Sequence, residues 1–303
     1  MILIAIIASL LALSYSVDLP NMLSEHSFYL HRICLKAVPM TLRNRESLEA
    51  IVCGKNINDL EVRQLLVDTS LIHIFVVSGS HFLLLRSFLA RVLGKSFWCM
   101  VPLFLYAMVT LCQPPSMRAL AFLALGEIAL RRKLFLSNIQ ILLLSGILCL
   151  AFFPLWIHSR SLLMSLMAAL AMTVSDEILD RKLSPVLRAF LAQSFMYFAM
   201  SLCLWGLSGL HPLSILMNVL VGPLIGTLLF PTGIFAMVFP ITAPVFDTAM
   251  DGLIWLMAQA DPLLQANSEA TPLEVGLQWI LITGFVFTAH MVSVKRRRLR
   301  YEA

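Results

Sequence analysis

Apolar residues in this chain run in long unbroken stretches separated by short polar or basic turns, with little of the two-residue alternation that marks strands. Stretches near 71–93, 97–113, 115–130, 135–153, 161–175, 190–209, 213–239 and 273–292 read as membrane-crossing helices. Residues 244–260 carry only Asp247 and Asp251 as charges, one turn apart, and either lie in the membrane interface or span with the others. The apolar start, 1–17, lacks a basic leader and suits a membrane anchor better than a signal peptide. A mixed-charge stretch over 18–66 is long enough only for a small extramembranous unit. The expected fold is therefore all-α: a polytopic transmembrane helical bundle with a small N-terminal extramembranous segment. Its parts are an anchor at 1–17, the small segment at 18–60, a membrane body at 61–292 and a basic tail at 293–303.

Composition agrees with that pattern. Of 303 residues, 59% are hydrophobic and 13% charged, about half the charged share of an ordinary soluble domain. The net charge of +5 is gathered in RVLGK (91–95), RRK (131–133), RKLSPVLR (181–188) and KRRRLR (295–300). Lys and Arg are retained on the cytoplasmic side, so these clusters set a topology with the C-terminus inside. QPPS (113–116), PLWIHSR (154–160), GLHP (209–212) and the 18–66 segment then lie outside. Region 213–292 must cross an odd number of times, either with 244–260 as a further span or with 213–239 as a re-entrant pair broken near Pro223 and Pro231. Cys34 and Cys53 fall in the outer segment, where a disulfide can persist, although two free thiols remain the alternative. Cys99, Cys112, Cys149 and Cys203 sit in apolar runs as small buried hydrophobes.

Polar groups inside the apolar runs are the candidates for function. HIFVVSGSHF (73–82) holds two histidines, two serines and a glycine. On one continuous helix Ser70, His73, Ser78 and His81 fall within roughly 140°; alternatively, Gly79 marks a break that frees backbone to line a cavity. QPPSMRALAF (113–122) opens a helix at Pro114–Pro115 with Ser116 and Arg118 in its first turns. Arg118 either snorkels to the interface or sits as a fixed charge at a pore mouth, and Glu127 lies half a turn away from it. Ser214, Asn218, Gly222 and Gly226 step by four, as a close-packing stripe or as the polar wall of a conduit. Ser161 and Ser165 support packing at least as well.

Enzyme motifs fail on inspection. GKS at 94–96 lacks the upstream glycine of a phosphate loop, since position 89 is Leu. The seven histidines show no zinc-ligand spacing, and Ser78 lacks the G-x-S-G context of an intramembrane hydrolase. No cofactor, metal site or catalytic residue is expected.

In their order along the chain these stretches resemble the membrane competence domain of the ComEC family, the inner-membrane DNA-uptake channel of natural transformation. IHIFVVSGSHF is similar to the family's H-L-(L/F)-A-I-S-G-L-H-V signature at His73, Ser78, Gly79 and His81, with Ser80 where Leu is usual. PPSMRA matches a P-S-x-x-R-A helix at Pro115, Ser116, Arg118 and Ala119. SLLMSLMAALA echoes a G-F-x-L-S-F-x-A stretch at Ser165 without its glycine. HPLSILMNVLVGPL, with FPTG after it, matches P-L-S-x-x-x-N-x-x-x-x-P at Pro212, Ser214, Asn218, Pro223 and Pro231. The resemblance spans about residues 60–292. It implies a multi-pass protein of the bacterial cytoplasmic membrane that passes single-stranded DNA inward, with these residues along the path. It also implies an external DNA receptor, a separate nuclease and a cytoplasmic motor or strand-binding proteins, because no nuclease-type zinc motif or phosphate loop is found here. The competing readings are a proton-coupled secondary transporter using His73, His81 and Glu127, and an intramembrane serine hydrolase using Ser78.

Overall fold

The computed structural model describes residues 19–302 apart from 70, 72–74, 76, 95–96, 180–181, 206–210 and 265–272. Every regular element among them is helical. In chain order the longer helices are α1 (Leu19–Ala37), α2 (Arg45–Leu48), α3 (Leu60–Asp68), α4 (Gly79–Val92), α5 (Met100–Val109), α6 (Pro114–Arg131) and α7 (Asn138–Phe152). They continue as α8 (Arg160–Ile178), α9 (Pro185–Leu204), α10 (Ser214–Leu224), α11 (Phe230–Val238), α12 (Ala243–Leu264) and α13 (Val275–Glu302). Two π-helical turns interrupt the pattern, Glu49–Cys53 after α2 and Ile225–Leu229 between α10 and α11.

Helix starts follow from local sequence. Asp59 caps α3 by accepting from the amides of Glu61 and Val62. Ser137 and Gln140 form a reciprocal capping box on α7. Ser159 and Ser184 cap α8 and α9, and Pro185 takes the first position of α9, where its missing N–H costs nothing. At α6, Pro114 and Pro115 do the same.

Among the described residues two helices are long and apolar enough to cross a membrane, Arg160–Ile178 and Ser214–Val238. Met100–Val109, Asn138–Phe152 and Val275–Thr288 are apolar but shorter. The other long apolar stretches are trimmed for visible reasons. The 71–93 stretch does not continue as one helix: α4 starts at Gly79, with Ser78 extended as its cap. At about 1.5 Å per residue its length falls short of a full bilayer core. The 97–113 stretch ends at Val109, because Leu111 and Cys112 take left-handed backbone angles. In α6, Arg118, Glu127 and Arg131 interrupt the apolar run.

Packing forms three cores. The first joins residues of the N-terminal segment (Cys34, Leu48, Ile51, Leu66) to α10–α12 (Val221, Phe230, Phe246, Met257). The 18–60 segment thus shares its core with the C-terminal helices. The second is made by α7, α8, α9 and α13 around Leu162, Leu163, Met167 and Cys203. The third lies between them, where α4, α5 and α6 bury Phe82, Leu103 and Leu123. Polar ties hold the first core. Cys34 and Cys53 are joined by a disulfide. Asp247 accepts from the backbone amides of Arg43 (3.2 Å) and Asn44 (2.9 Å), and Asp251 pairs with Arg43 and with Asn44 Nδ2. Buried Glu49 is met by Arg45 and Lys55.

Candidate functional site

Three of the polar stretches singled out above, around Ser78–His81, Pro115–Arg118 and Ser161–Ser165, lie toward the amino-terminal ends of α4, α6 and α8. Gly79–Arg118 and Arg86–Glu127 are both close pairs, so α4 and α6 run parallel. Short connections make α6, α7 and α8 an up-down-up run, so α8 is parallel to both. The carboxyl-terminal ends of α4 and α6 carry exposed Arg91, Arg131, Arg132 and Lys133, opposite the candidate site.

At the start of α4 a histidine stands where a capping box normally has Glu or Gln. The Ser78 N–H donates to His81 Nδ1 at 3.1 Å, and Ser78 Oγ lies 3.2 Å from the same nitrogen. An Nδ1 that accepts from an amide puts the proton of a neutral ring on Nε2. That Nε2 is buried and has no hydrogen-bond partner among the described residues. The ring packs edge-on against Phe230, centroids 4.7 Å apart, and Phe230 also meets Tyr106. Ser80 is exposed, its hydroxyl 2.7 Å from that of Ser78.

Arg118 reaches across from α6. It is 5% exposed, and its Nε donates to Ser165 Oγ on α8 at 2.8 Å. Its Nη2 crowds the backbone of α4: a Cβ at Gly79 would stand 2.9 Å from that atom. A side chain at position 79 would have to displace the Arg118 guanidinium, the flexible end of a long side chain. Among the described residues no carboxylate lies within ion-pair distance of Arg118; Glu127 is taken by Arg86 (3.4 Å) and Arg131 (2.8 Å). The serine-glycine-histidine stretch, the proline-serine-arginine helix and the Ser165 helix therefore meet at one junction.

The α5–α6 turn supports that junction. Thr110 Oγ1 donates to Ser116 Oγ at 3.0 Å, and both side chains are fully buried with Pro115 beside them. Gln113 Nε2 donates to the Gly54 carbonyl at 2.9 Å. Gly54 has φ +76°, and an added Cβ would stand 3.2 Å from Thr110 Cβ, so both its angle and its contact demand glycine. His31 Nδ1 lies 3.1 Å from the Cys53 carbonyl and 2.9 Å from that of Val109, tying α1 to the same turn.

The remaining candidates lie apart. Ser214 and Asn218 are buried one turn apart on α10; Asn218 Nδ2 donates to the Ser214 carbonyl at 2.9 Å. Among the described residues Ser214 Oγ and Asn218 Oδ1 have no hydrogen-bond partner. Gly226 approaches Leu84 and Phe230 approaches His81, so α10–α11 runs antiparallel to α4 and carries Asn218 away from the junction. Pro212 and Pro223 are exposed. His73 and Ser70 lie outside the described residues. Sequence reasoning missed Thr110, Gln113, Gly54, Phe230 and His31. The one sequence signal for any of them is the C-G pair at 53–54, which precedes a polar run and marks a turn.

A family model described as Competence, competence protein, matches residues 55–298. This chain belongs to the competence protein family, the ComEC/Rec2 group. A protein of Aquifex aeolicus (strain VF5) described as uncharacterized is 28% identical over 169 residues, covering 54% of this chain and 40% of that protein's length. No solved structure matches. The family is membrane-associated. The outer faces of α5, α7 and α9 fit that setting, exposing Phe104, Leu105, Ile147 and Phe198 where a soluble protein would show charge.

Proposed function

We propose that this protein is a non-catalytic, multi-pass channel of the bacterial cytoplasmic membrane that passes single-stranded DNA inward, with its C-terminus in the cytoplasm. What carries the reading is the junction of Gly79, Arg118 and Ser165, where three family-like stretches from separate helices meet around a buried cation. A polyanion crossing hydrocarbon needs scattered hydrogen-bonding and cationic groups that hold it weakly at several places. Ser78, Ser80, Arg118, Ser116 and Ser165 are groups of that kind, and Ser214 with Asn218 supplies a second polar station further along the bundle. His81 and Arg118 are sealed by protein in this conformation, so the passage is shut at the junction and opens by separation of α4 from α6 and α8. The 18–60 segment, braced by its internal Cys34–Cys53 disulfide and held to the α5–α6 turn through His31 and Gln113, caps the outer mouth. An external receptor, a separate nuclease and a cytoplasmic motor or strand-binding protein complete the process. A proton relay through Glu127 is disfavoured, since Arg86 and Arg131 already hold that carboxylate.

The test is import of labelled DNA into a DNase-protected state, in a deletion strain complemented with the intact gene or with variants. Arg118→Ala and His81→Ala should each lower import at least tenfold with the protein still present in the membrane. Wild-type import in both variants would remove the proposed path.

A further inference from the structure

α1 is the longest helix of the N-terminal segment, and it has three different sides. Ser27, His31 and Cys34 are buried and face the protein, where His31 Nδ1 lies 2.9 Å from the Val109 carbonyl at the end of α5. Glu25, Arg32 and Lys36, all exposed, gather within about 40° of arc on a second side, at roughly 100° per residue. Met22, Tyr29 and Ile33 gather within about 40° on a third side. They are 51%, 69% and 47% exposed. Exposed Ala37 and half-buried Leu23 and Leu30 carry this third side round toward the protein. His26, also on it, turns its Nδ1 back to the Met22 carbonyl at 2.9 Å. Phe28 is exposed between the charged side and the protein, apart from this face. A helix resting on a protein in water needs only two sides, one packed and one polar. A third, apolar and uncovered, calls for a third surrounding.

Position and charge say which. α1 packs against α5, whose outer face exposes Val101, Phe104 and Leu105 in a membrane-associated family. The apolar run 1–17, expected to be a membrane anchor, is separated from α1 by Asp18 alone. The helix therefore leaves the membrane at its start and meets the end of α5 near His31. With both ends at one surface, its 19 residues, about 28 Å in length, lie along that surface. Arg32 and Lys36 edge the apolar face, where long basic side chains reach headgroup phosphates and a tyrosine sits at the headgroup level. We propose that α1 lies in the outer-leaflet interface, with Met22, Tyr29 and Ile33 seated at the boundary between phospholipid headgroups and acyl chains. Its charged side faces water and its buried side rests on the protein. Lipid thereby fixes the depth of the 18–60 segment together with α5. The inference rests on the membrane setting and the outer placement of this segment, and DNA passage does not enter it.

The experiment uses the full chain in phosphatidylcholine nanodiscs without reductant, which keeps the Cys34–Cys53 bridge intact. Met22→Cys, Ile33→Cys, Glu25→Cys and Arg32→Cys variants each carry a bimane label. The unaltered chain, whose free cysteines are all buried, gives the background labelling. Two quenchers are compared: a phosphatidylcholine bearing a nitroxide near the top of its acyl chain, and iodide in the water. An interfacial helix sits about 5–10 Å into the headgroup boundary. Labels at positions 22 and 33 should therefore be quenched mainly by the nitroxide lipid, and labels at 25 and 32 mainly by iodide. Thermal unfolding verifies that each variant folds, and Tyr29→Cys replaces either apolar position that fails. Iodide quenching at all four positions overturns the proposal, because the face then lies in water. Quenching by neither agent at 22 and 33 also overturns it, by assigning the face to protein, whether a second copy or residues 1–17. Nitroxide quenching at all four positions overturns the three-sided arrangement. Lipid contact at 22 and 33 in a protein that imports no DNA would leave this proposal standing and remove the channel reading. Normal import with iodide quenching at all four positions would do the reverse.

Discussion

The first and second cores are built on different rules. Around Leu48, Phe246 and Met257, helices are joined by a disulfide, by carboxylates accepting from backbone amides, and by the buried Glu49 between two cations. Around Leu163, Met167 and Cys203, α7, α8, α9 and α13 meet almost wholly through apolar side chains. Their few polar ties include Trp279 Nε1 donating to the Ile157 carbonyl at 2.7 Å and Gln278 Nε2 donating to the Cys203 carbonyl. The surfaces differ in the same sense: α1 and α3 expose Glu25, Arg32, Lys36, Glu61 and Arg63, whereas α7–α9 expose Ile147, Met172 and Phe198. The crosslink and ion pairs of the first core lie in its charged N-terminal part, which packs against α10–α11, itself apolar enough to cross a membrane. Helices in lipid have no competing water for their backbone and hold together by packing.

That contrast can be broken by truncation. Leu48 is fully buried beside Gly233, and Leu48→Ala should cost about 4 kcal/mol, because both the transfer and cavity terms are lost. Leu163→Ala, equally buried, should cost roughly 2 kcal/mol, since a helix dissociating into lipid keeps its apolar surroundings and loses only packing. Equal costs in detergent unfolding would erase the proposed difference between the two cores. Next in size, Cys34→Ser removes a crosslink across 19 residues and should lower the stability of the first core by about 3 kcal/mol. Hydrogen exchange should then accelerate in α1, the Glu49–Cys53 turn and α12, with α8 and α9 unchanged. Uniform acceleration would mean that the two cores unfold as one. The smallest effect is expected from Trp279→Phe, which deletes one hydrogen bond worth about 1 kcal/mol. Its loosening should stay local to the α13 start and the 154–158 turn.

Much of the second core could be read in advance. The apolar runs at 135–153, 161–175 and 190–209 read as helices, and the structure has α7, α8 and α9 there with Ser137, Ser159 and Ser184 at their starts. The first core was opaque because its ties span the chain. Nothing in the local sequence says that Asp247 meets residues 43 and 44, or that His31 meets the carbonyls of Cys53 and Val109. The candidate site falls between these cases. Gly79 and Arg118 stood out as unusual in apolar runs, and the structure brings them together with Ser165. A break at Gly79 was one of two readings, and the helix start there decides it: Ser78 is extended and the His81 ring turns back to its amide, which a continuous helix would not permit. The distance of Asn218 from the junction follows from the antiparallel course of α10–α11, a tertiary choice that periodicity does not encode.

Gln113 closes a short chain of command. Its amide grips the carbonyl of Gly54, next to the bridged Cys53, and Pro114 begins α6 one residue later. The crosslinked segment thereby sets the phase of that helix as well as its height. A slip of one residue at this grip would turn Arg118 by about 100° around the axis of α6 and swing its guanidinium off Gly79, so a hold made at the rim determines where the buried charge points.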